Sequence, residues 1–163
     1  MNKVFGWILI FGLQVVVFNH LDFSSYVLPQ VFIILLISLP LHTSKINQVL
    51  IGFGLGLLAD LFLSTPGIHA SACMTLILIR MWLLSRLDLK EQIANKLSFN
   101  AKTVGLPTFF YVTTVLVVIY HLYVFSLESI GAIYWVKMLL TTLISSALSL
   151  LIIGLIQYMS FRD

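Results

Sequence analysis

Six apolar runs, at roughly 4–19, 26–41, 48–64, 66–86, 103–125 and 132–159, take up most of the 163 residues, and their lengths constrain the fold more than any other feature. None shows the alternation of a half-buried strand, and runs of this length favour helices. In lipid a helix satisfies its own backbone hydrogen bonds, and a span needs about 20 residues. The expectation is an all-α, polytopic membrane bundle with six transmembrane helices, forming a single integral membrane domain over 1–163. Composition agrees. Of the residues, 60% are hydrophobic and 9% charged, and mean hydropathy is +1.08. So few polar side chains cannot cover a soluble globule, and no length remains for a soluble catalytic domain.

The start, Met1-Asn2-Lys3 and then Val4 to Phe18, resembles a secretory signal, but Asn19, His20, Leu21 and Asp22 follow where small residues would mark cleavage. It reads as a retained first helix. With six spans and the N-terminus inside, Lys3, Lys45, Arg80, Arg86, Lys90, Lys96, Lys102 and Arg162 fall on the cytoplasmic side and only Lys137 outside. That is the positive-inside pattern, with both termini cytoplasmic. Arg80, a turn or two inside its run, is expected to snorkel to the interface. Thr65-Pro66 suits an N-cap followed by proline at the first helical position. Pro107 sits near the start of its span, where proline costs least. Tyr120, Tyr123, Tyr134 and Trp135 suit an outer aromatic belt. In the loop 87–102, Leu89, Ile93 and Leu97 recur every four residues, as in a short helix lying at the interface.

Catalytic patterns are missing. There is no GxxxxGK[ST] phosphate cradle and no HExxH, and His20, His42, His69 and His121 are scattered. An aspartyl protease needs two carboxylates sharing a proton, and Asp60 is the one acid deep in a span. No metal site or cofactor is expected, and no enzyme. The single cysteine, Cys73, reads as a packing residue. The basic total reads as membrane orientation, without the clustered footprint of a nucleic-acid binder.

The informative segment is 52–69. Gly52, Gly56 and Asp60 are spaced by four and share a helix face. Gly52 and Gly56 form GxxxG, which admits another helix closely, within the bundle or from a partner. An ionised aspartate at mid-helix costs about 2.5–3.5 kcal/mol. Asp60 lies about 18 Å along its helix from Gln48, roughly a turn below the outer surface, and still needs a partner. His69, across the Ser64–Gly67 turn, is one candidate and Lys137 another. Lys137, Thr141, Ser145 and Ser149 line one face of span six; either this face packs on the Gly52–Gly56–Asp60 face, with Lys137 near Asp60, or Lys137 snorkels to the outer headgroups, the default for lysine at a helix end.

At this segment the chain resembles the rod shape-determining MreD family. The pattern is Gly52-Phe53-x-x-Gly56-x-x-x-Asp60-Leu61, then Thr65-Pro66-Gly67-Ile68-His69-Ala70, with Pro29 opening span two and Pro40-Leu41-His42 closing it. The specific match covers about 29–72; elsewhere only hydropathy agrees. The turn between Asp60 and Gly67 is one residue shorter than in some members. The resemblance implies a bacterial inner-membrane component of lateral cell-wall synthesis. It implies association with MreC, a single-span protein, beside MreB, a RodA-type glycosyltransferase and a class B penicillin-binding protein. It also implies a fold similar to the six-helix substrate-binding subunits of vitamin transporters, and no enzymatic activity. Gly52, Gly56, Asp60, Gly67 and His69 would act in partner binding or helix packing, with Lys137 added from the stripe.

The residues fit such a scaffold. Tiny loops leave little of the roughly 800 Å² per side that a standard soluble interface buries, so partners are expected within the bilayer. The alternative is a small-molecule-binding subunit of an energy-coupling transporter. That alternative calls for a pocket with convergent polar groups, whereas Phe109, Phe110 and Tyr111 supply aromatics with few polar neighbours. A polar-lined outer cavity would favour transport, and a filled core the scaffold.

Overall fold

A computed structural model describes residues 10–12, 14, 29–129 and 135–162. Most of the expected first span, Lys3, Tyr134 and the beginning of the sixth apolar run lie outside these residues. The described elements are helices α1 (Ile33–Ile37), α2 (Lys45–Leu63), α3 (Ile68–Leu84), α4 (Lys90–Ala94), α5 (Ala101–Val104), α6 (Leu106–Glu128) and α7 (Trp135–Arg162). Among the described residues, three stretches are long and apolar enough to cross a membrane: Lys45–Leu63, Leu106–Glu128 and Trp135–Met159. The 17 residues of α3 make a shorter apolar helix of about 25 Å.

Local chemistry sets the boundaries. Ser44 caps α2, its hydroxyl accepting from the Asn47 N–H at 3.3 Å. The helix stops where Ser64 turns left-handed, with φ 56°. Gly105, at φ 83°, makes the bend between α5 and α6, a conformation that suits glycine, and Pro107 occupies the first turn of α6. The Thr65-Pro66 start expected for α3 is displaced. Both residues precede the helix, and Gly67, at φ 82° and without a side chain to donate, stands at its N-cap.

Two antiparallel hairpins form the frame. In the first, α2 lies along α3. In the second, α6 lies along α7, with Ser126 opposite Met138 and Phe110 opposite Gly154. The hairpins join where α3 packs on α6. The glycines of α2 explain the first pairing. A Cβ on Gly56 would stand 2.5 Å from the Ala70 Cα and 2.6 Å from the His69 carbonyl oxygen. On Gly52 it would meet Ile77 Cγ1 at 2.8 Å. The GxxxG face is therefore spent inside the bundle, against α3. The expected pairing with the stripe of the last helix does not form: that helix, α7, packs mainly on α6.

The second apolar run departs most from expectation. Of its described part, only Ile33–Ile37 is helical, about 7.5 Å of rise, with Pro29–Gln30 before it and Ser38–Ser44 after it outside any α-helix. It cannot itself span a bilayer. Instead it fills the middle of the molecule: Phe32, Ile33, Leu36 and Ile37 have no exposed surface. Around it stand Leu76 and Ile77 of α3 and Leu116, Val117 and Tyr120 of α6. Broken backbone at membrane depth is tolerated where protein surrounds it, which is the physical reason this run need not be one helix.

The loop 87–102 also differs from a single interfacial helix. It holds one turn of helix at α4, and Leu89 is buried while Ile93 and Leu97 are exposed. A bridge between Pro40 and Ser98, with the Leu41 N–H donating to the Leu97 carbonyl at 2.9 Å, ties the loop to the start of the first hairpin. Phe99 enters the core. Tyr120, expected in an outer belt, is fully buried and meets Phe32 edge-on, whereas Trp135 is exposed.

The contrast between glycines is testable. Gly56→Ala must push two backbones apart and is expected to cost about 3 kcal/mol or more, the upper range for overpacking. Gly54→Ala, with nothing within 4 Å, is expected to be neutral or slightly stabilising. Reversible unfolding in detergent micelles would compare them.

Candidate functional site

Asp60 holds the turn between α2 and α3. It is 6% exposed. Its Oδ1 accepts from the Thr65 hydroxyl at 2.6 Å and from the His69 N–H at 2.9 Å, and its Oδ2 accepts from the Ala70 N–H at 2.9 Å. His69 and Ala70 are the second and third residues of α3, whose N–H groups have no partner inside the helix. A capping side chain normally comes from the residue just before the helix. Here Gly67 has none, and a carboxylate from the preceding helix takes its place. The negative charge also faces the positive end of the helix dipole. The main-chain oxygen of Asp60 meanwhile accepts from the Ser64 and Thr65 N–H groups, closing α2. One residue thus ends one helix and begins the next.

This settles how the expected partners are placed. His69 meets Asp60 through its main-chain N–H, while its ring turns away, Nδ1 lying 2.7 Å from the Tyr120 hydroxyl on α6. Lys137 lies on the exposed side of the first turn of α7, and the three bonds to Thr65, His69 and Ala70 come from the α2–α3 turn itself. Gly52, Gly56, Asp60, Gly67 and His69 come together in one hairpin. Thr141, Ser145 and Ser149 are buried, and the Ser149 hydroxyl is seated elsewhere than on α2. It accepts from the Gln30 N–H at 3.0 Å and lies 3.4 Å from His121 Nε2. His121 Nδ1 is 2.8 Å from the Val117 carbonyl, which can only accept, so the hydrogen is on Nδ1 and Nε2 is the acceptor. Gln14 grips the same broken segment, accepting from the Val31 N–H at 2.7 Å and donating to the Pro29 carbonyl at 3.0 Å.

A second charge is built in deeper. Arg80 is 1% exposed and does not snorkel. Its Nε donates to the Ile37 carbonyl at 3.0 Å and its Nη2 to the Leu39 carbonyl at 2.7 Å, closing the C-terminal end of α1. Its Nη1 donates to Gln48 Oε1 at 2.7 Å, and Gln48 Nε2 donates to the Thr43 carbonyl at 2.8 Å. The guanidinium also lies 5.9 Å from the Phe99 ring centre. Three separate nitrogens of the planar group each reach a different acceptor, which a lysine, with all its donors on one nitrogen, cannot match. The sequence does carry a signal for Arg80: apart from Arg86 at the very end, it is the only charge in the apolar run 66–86. Gln48, Gln30 and Tyr120 are likewise polar groups in apolar runs, and they find their partners across elements that sequence spacing does not relate.

These geometries define a class: an all-helical protein with membrane-spanning character, whose buried polar groups fasten helix ends. Among the described residues no three His, Cys, Asp or Glu side chains are grouped to hold a metal ion. Compared with protein-family models, with curated proteins and with solved structures, the chain matches none.

Two substitution series test the fastenings. Asp60→Ala orphans two N–H groups and a hydroxyl, and is expected to cost about 2–3 kcal/mol. Asp60→Asn, keeping one acceptor oxygen, should lose less. Unfolding midpoints in micelles give the order. Arg80→Met is expected to lose about 3 kcal/mol by leaving carbonyls unpaired in the core, and Arg80→Lys to recover only part. Thermal unfolding of the detergent-solubilised protein, followed by circular dichroism, would rank the three.

Proposed function

We propose that this protein is a non-catalytic, MreD-like scaffold of bacterial cell-wall elongation, seated in the inner membrane with six spans and cytoplasmic termini. Its partner would be an MreC-like single-span protein, alongside a RodA-type glycosyltransferase and a class B penicillin-binding protein. The observation that carries this reading is where the molecule spends its polar groups. Asp60, Arg80, His69, His121 and Ser149 all bond within the fold, and the broken α1 segment fills the centre. A filled core with fastened helix ends suits a rigid assembly subunit better than a small-molecule carrier. Gly52, Gly56, Asp60, Gly67 and His69, quoted for the family resemblance, act here as one unit, the α2–α3 hairpin.

In this reading the glycine face does not meet the partner, because α3 already occupies it. The faces left outward are apolar ridges: Leu50, Phe53, Leu57 and Leu61 on α2, and Leu139, Leu143, Leu151 and Leu155 on α7. A partner helix would meet these by close packing in lipid.

The test is mass spectrometry of what co-purifies with the tagged chain from gently solubilised native membranes. Recovery of an MreC-like protein and wall synthases is the expected result. Recovery instead of a paired ATPase with its membrane coupling subunit would overturn the scaffold reading and favour the transporter alternative.

A further inference from the structure

One end of the molecule combines cationic and apolar groups in a way that neither water nor hydrocarbon alone would accommodate. This end gathers the start of α2, the finish of α3, helices α4 and α5, and the start of α6. The Leu41–Leu97 bond and the Pro40–Ser98 bridge hold the first of these beside the loop. Among the described side chains it carries Lys45, Arg86, Lys90, Lys96 and Lys102, against Asp88 and Glu91. All seven side chains are exposed. So are Ile46, Trp82, Ile93, Leu97 and Leu106, each by more than two-fifths of its surface. Arg86 lies one turn beyond Trp82, its guanidinium 4.9 Å from the indole centre, so ring and charge are presented together. Exposed isoleucine, leucine and tryptophan would be costly on a purely aqueous loop, while lysines and arginine would be costly in hydrocarbon. The layer that suits both is the headgroup region, with apolar tips below it and cations at the phosphates.

We propose that this end is a docking surface for anionic phospholipid headgroups, which Arg86, Lys90 and Lys96 hold around the Trp82 side chain. The occupant follows from charge complementarity: five cations against two acids select a negative headgroup over a zwitterionic one. The proposal does not depend on the scaffold reading, since it uses only exposed groups at one end of the fold. A basic side chain near an anionic surface contributes about 1 kcal/mol, which is roughly a fivefold change in association.

The full-length protein reconstituted in phosphatidylcholine vesicles, with a trace of spin-labelled phosphatidylglycerol or phosphatidylcholine, tests this directly. The motionally restricted fraction should favour phosphatidylglycerol by about fivefold. The triple variant Arg86→Gln, Lys90→Gln, Lys96→Gln should bring that ratio close to one, while Lys137→Gln, on the first turn of α7, should leave it unchanged. These positions are exposed, and circular dichroism of each variant confirms that the helices are retained. Inorganic phosphate added in excess should not displace the lipid if the bilayer headgroup is the ligand. Equal restriction of both lipids by the unaltered protein, a preference that survives the triple variant, or displacement by phosphate would each overturn the proposal.

Discussion

The Asp60 carboxylate is the interaction on which the rest of this structure depends, because it solves the problem every helix break poses in a membrane. Helix ends leave N–H and C=O groups without partners, and lipid offers none. At the α2–α3 turn the preceding glycine has no side chain, so the first helix reaches over and caps the second. Closure of that turn brings Gly56 against the Ala70 backbone, and the close approach continues along the hairpin to Gly52. Without the carboxylate, the same turn would present unpaired donors at the point where the two helices are nearest.

Arg80 answers the complementary problem with the complementary charge. The C-terminal end of a helix carries unpaired carbonyls and the negative end of the dipole, and a guanidinium suits both. Arg80 closes α1 from α3, just as Asp60 closes the start of α3 from α2. The two charges are thus each neutralised by backbone dipoles and need not pair with each other. Together they let a five-residue helix sit buried at the centre of the bundle. The Ser149 hydroxyl and the Gln14 amide do the same work at the other end of that segment, with neutral groups.

How far this was legible in the sequence depended on whether a feature was local. Long apolar runs gave the helices α2, α3, α6 and α7 to within a few residues, because length and lack of charge suffice. Asp60 stood out as an intramembrane acid, and the need for a partner followed from its cost. The partner itself did not follow: a side-chain search proposes His69 or Lys137, whereas the acceptor's true partners are mostly main-chain N–H groups, invisible to residue type. The broken second run escaped for a related reason. The run 26–41 reads as a span by hydropathy, and Arg80, Gln14 and Ser149, remote in sequence, hold its interrupted backbone. Tyr120 was misplaced because an amphipathic ring fits an interface or a core equally well until His69 is seen beside it.

The same distinction bears on what a resemblance in residues 52–69 can mean. Its glycines, aspartate and histidine are consumed in building one turn: Gly52 and Gly56 for proximity, Asp60 for capping, Gly67 for the left-handed bend, His69 for the link to α6. Such residues specify an architecture, and many sequences outside the turn could share it. In the proposed scaffold, the choice of partner would then fall to the outward ridges of α2 and α7, where leucine and phenylalanine offer shape without charge. Association between apolar ridges in lipid gains little from hydrophobicity and depends on close packing of rigid surfaces. Rigidity is what the buried charges supply. A hairpin held by Asp60 and a centre held by Arg80 keep those ridges in fixed relation, so that the polar interior, though it meets no partner, sets how well a partner can be met.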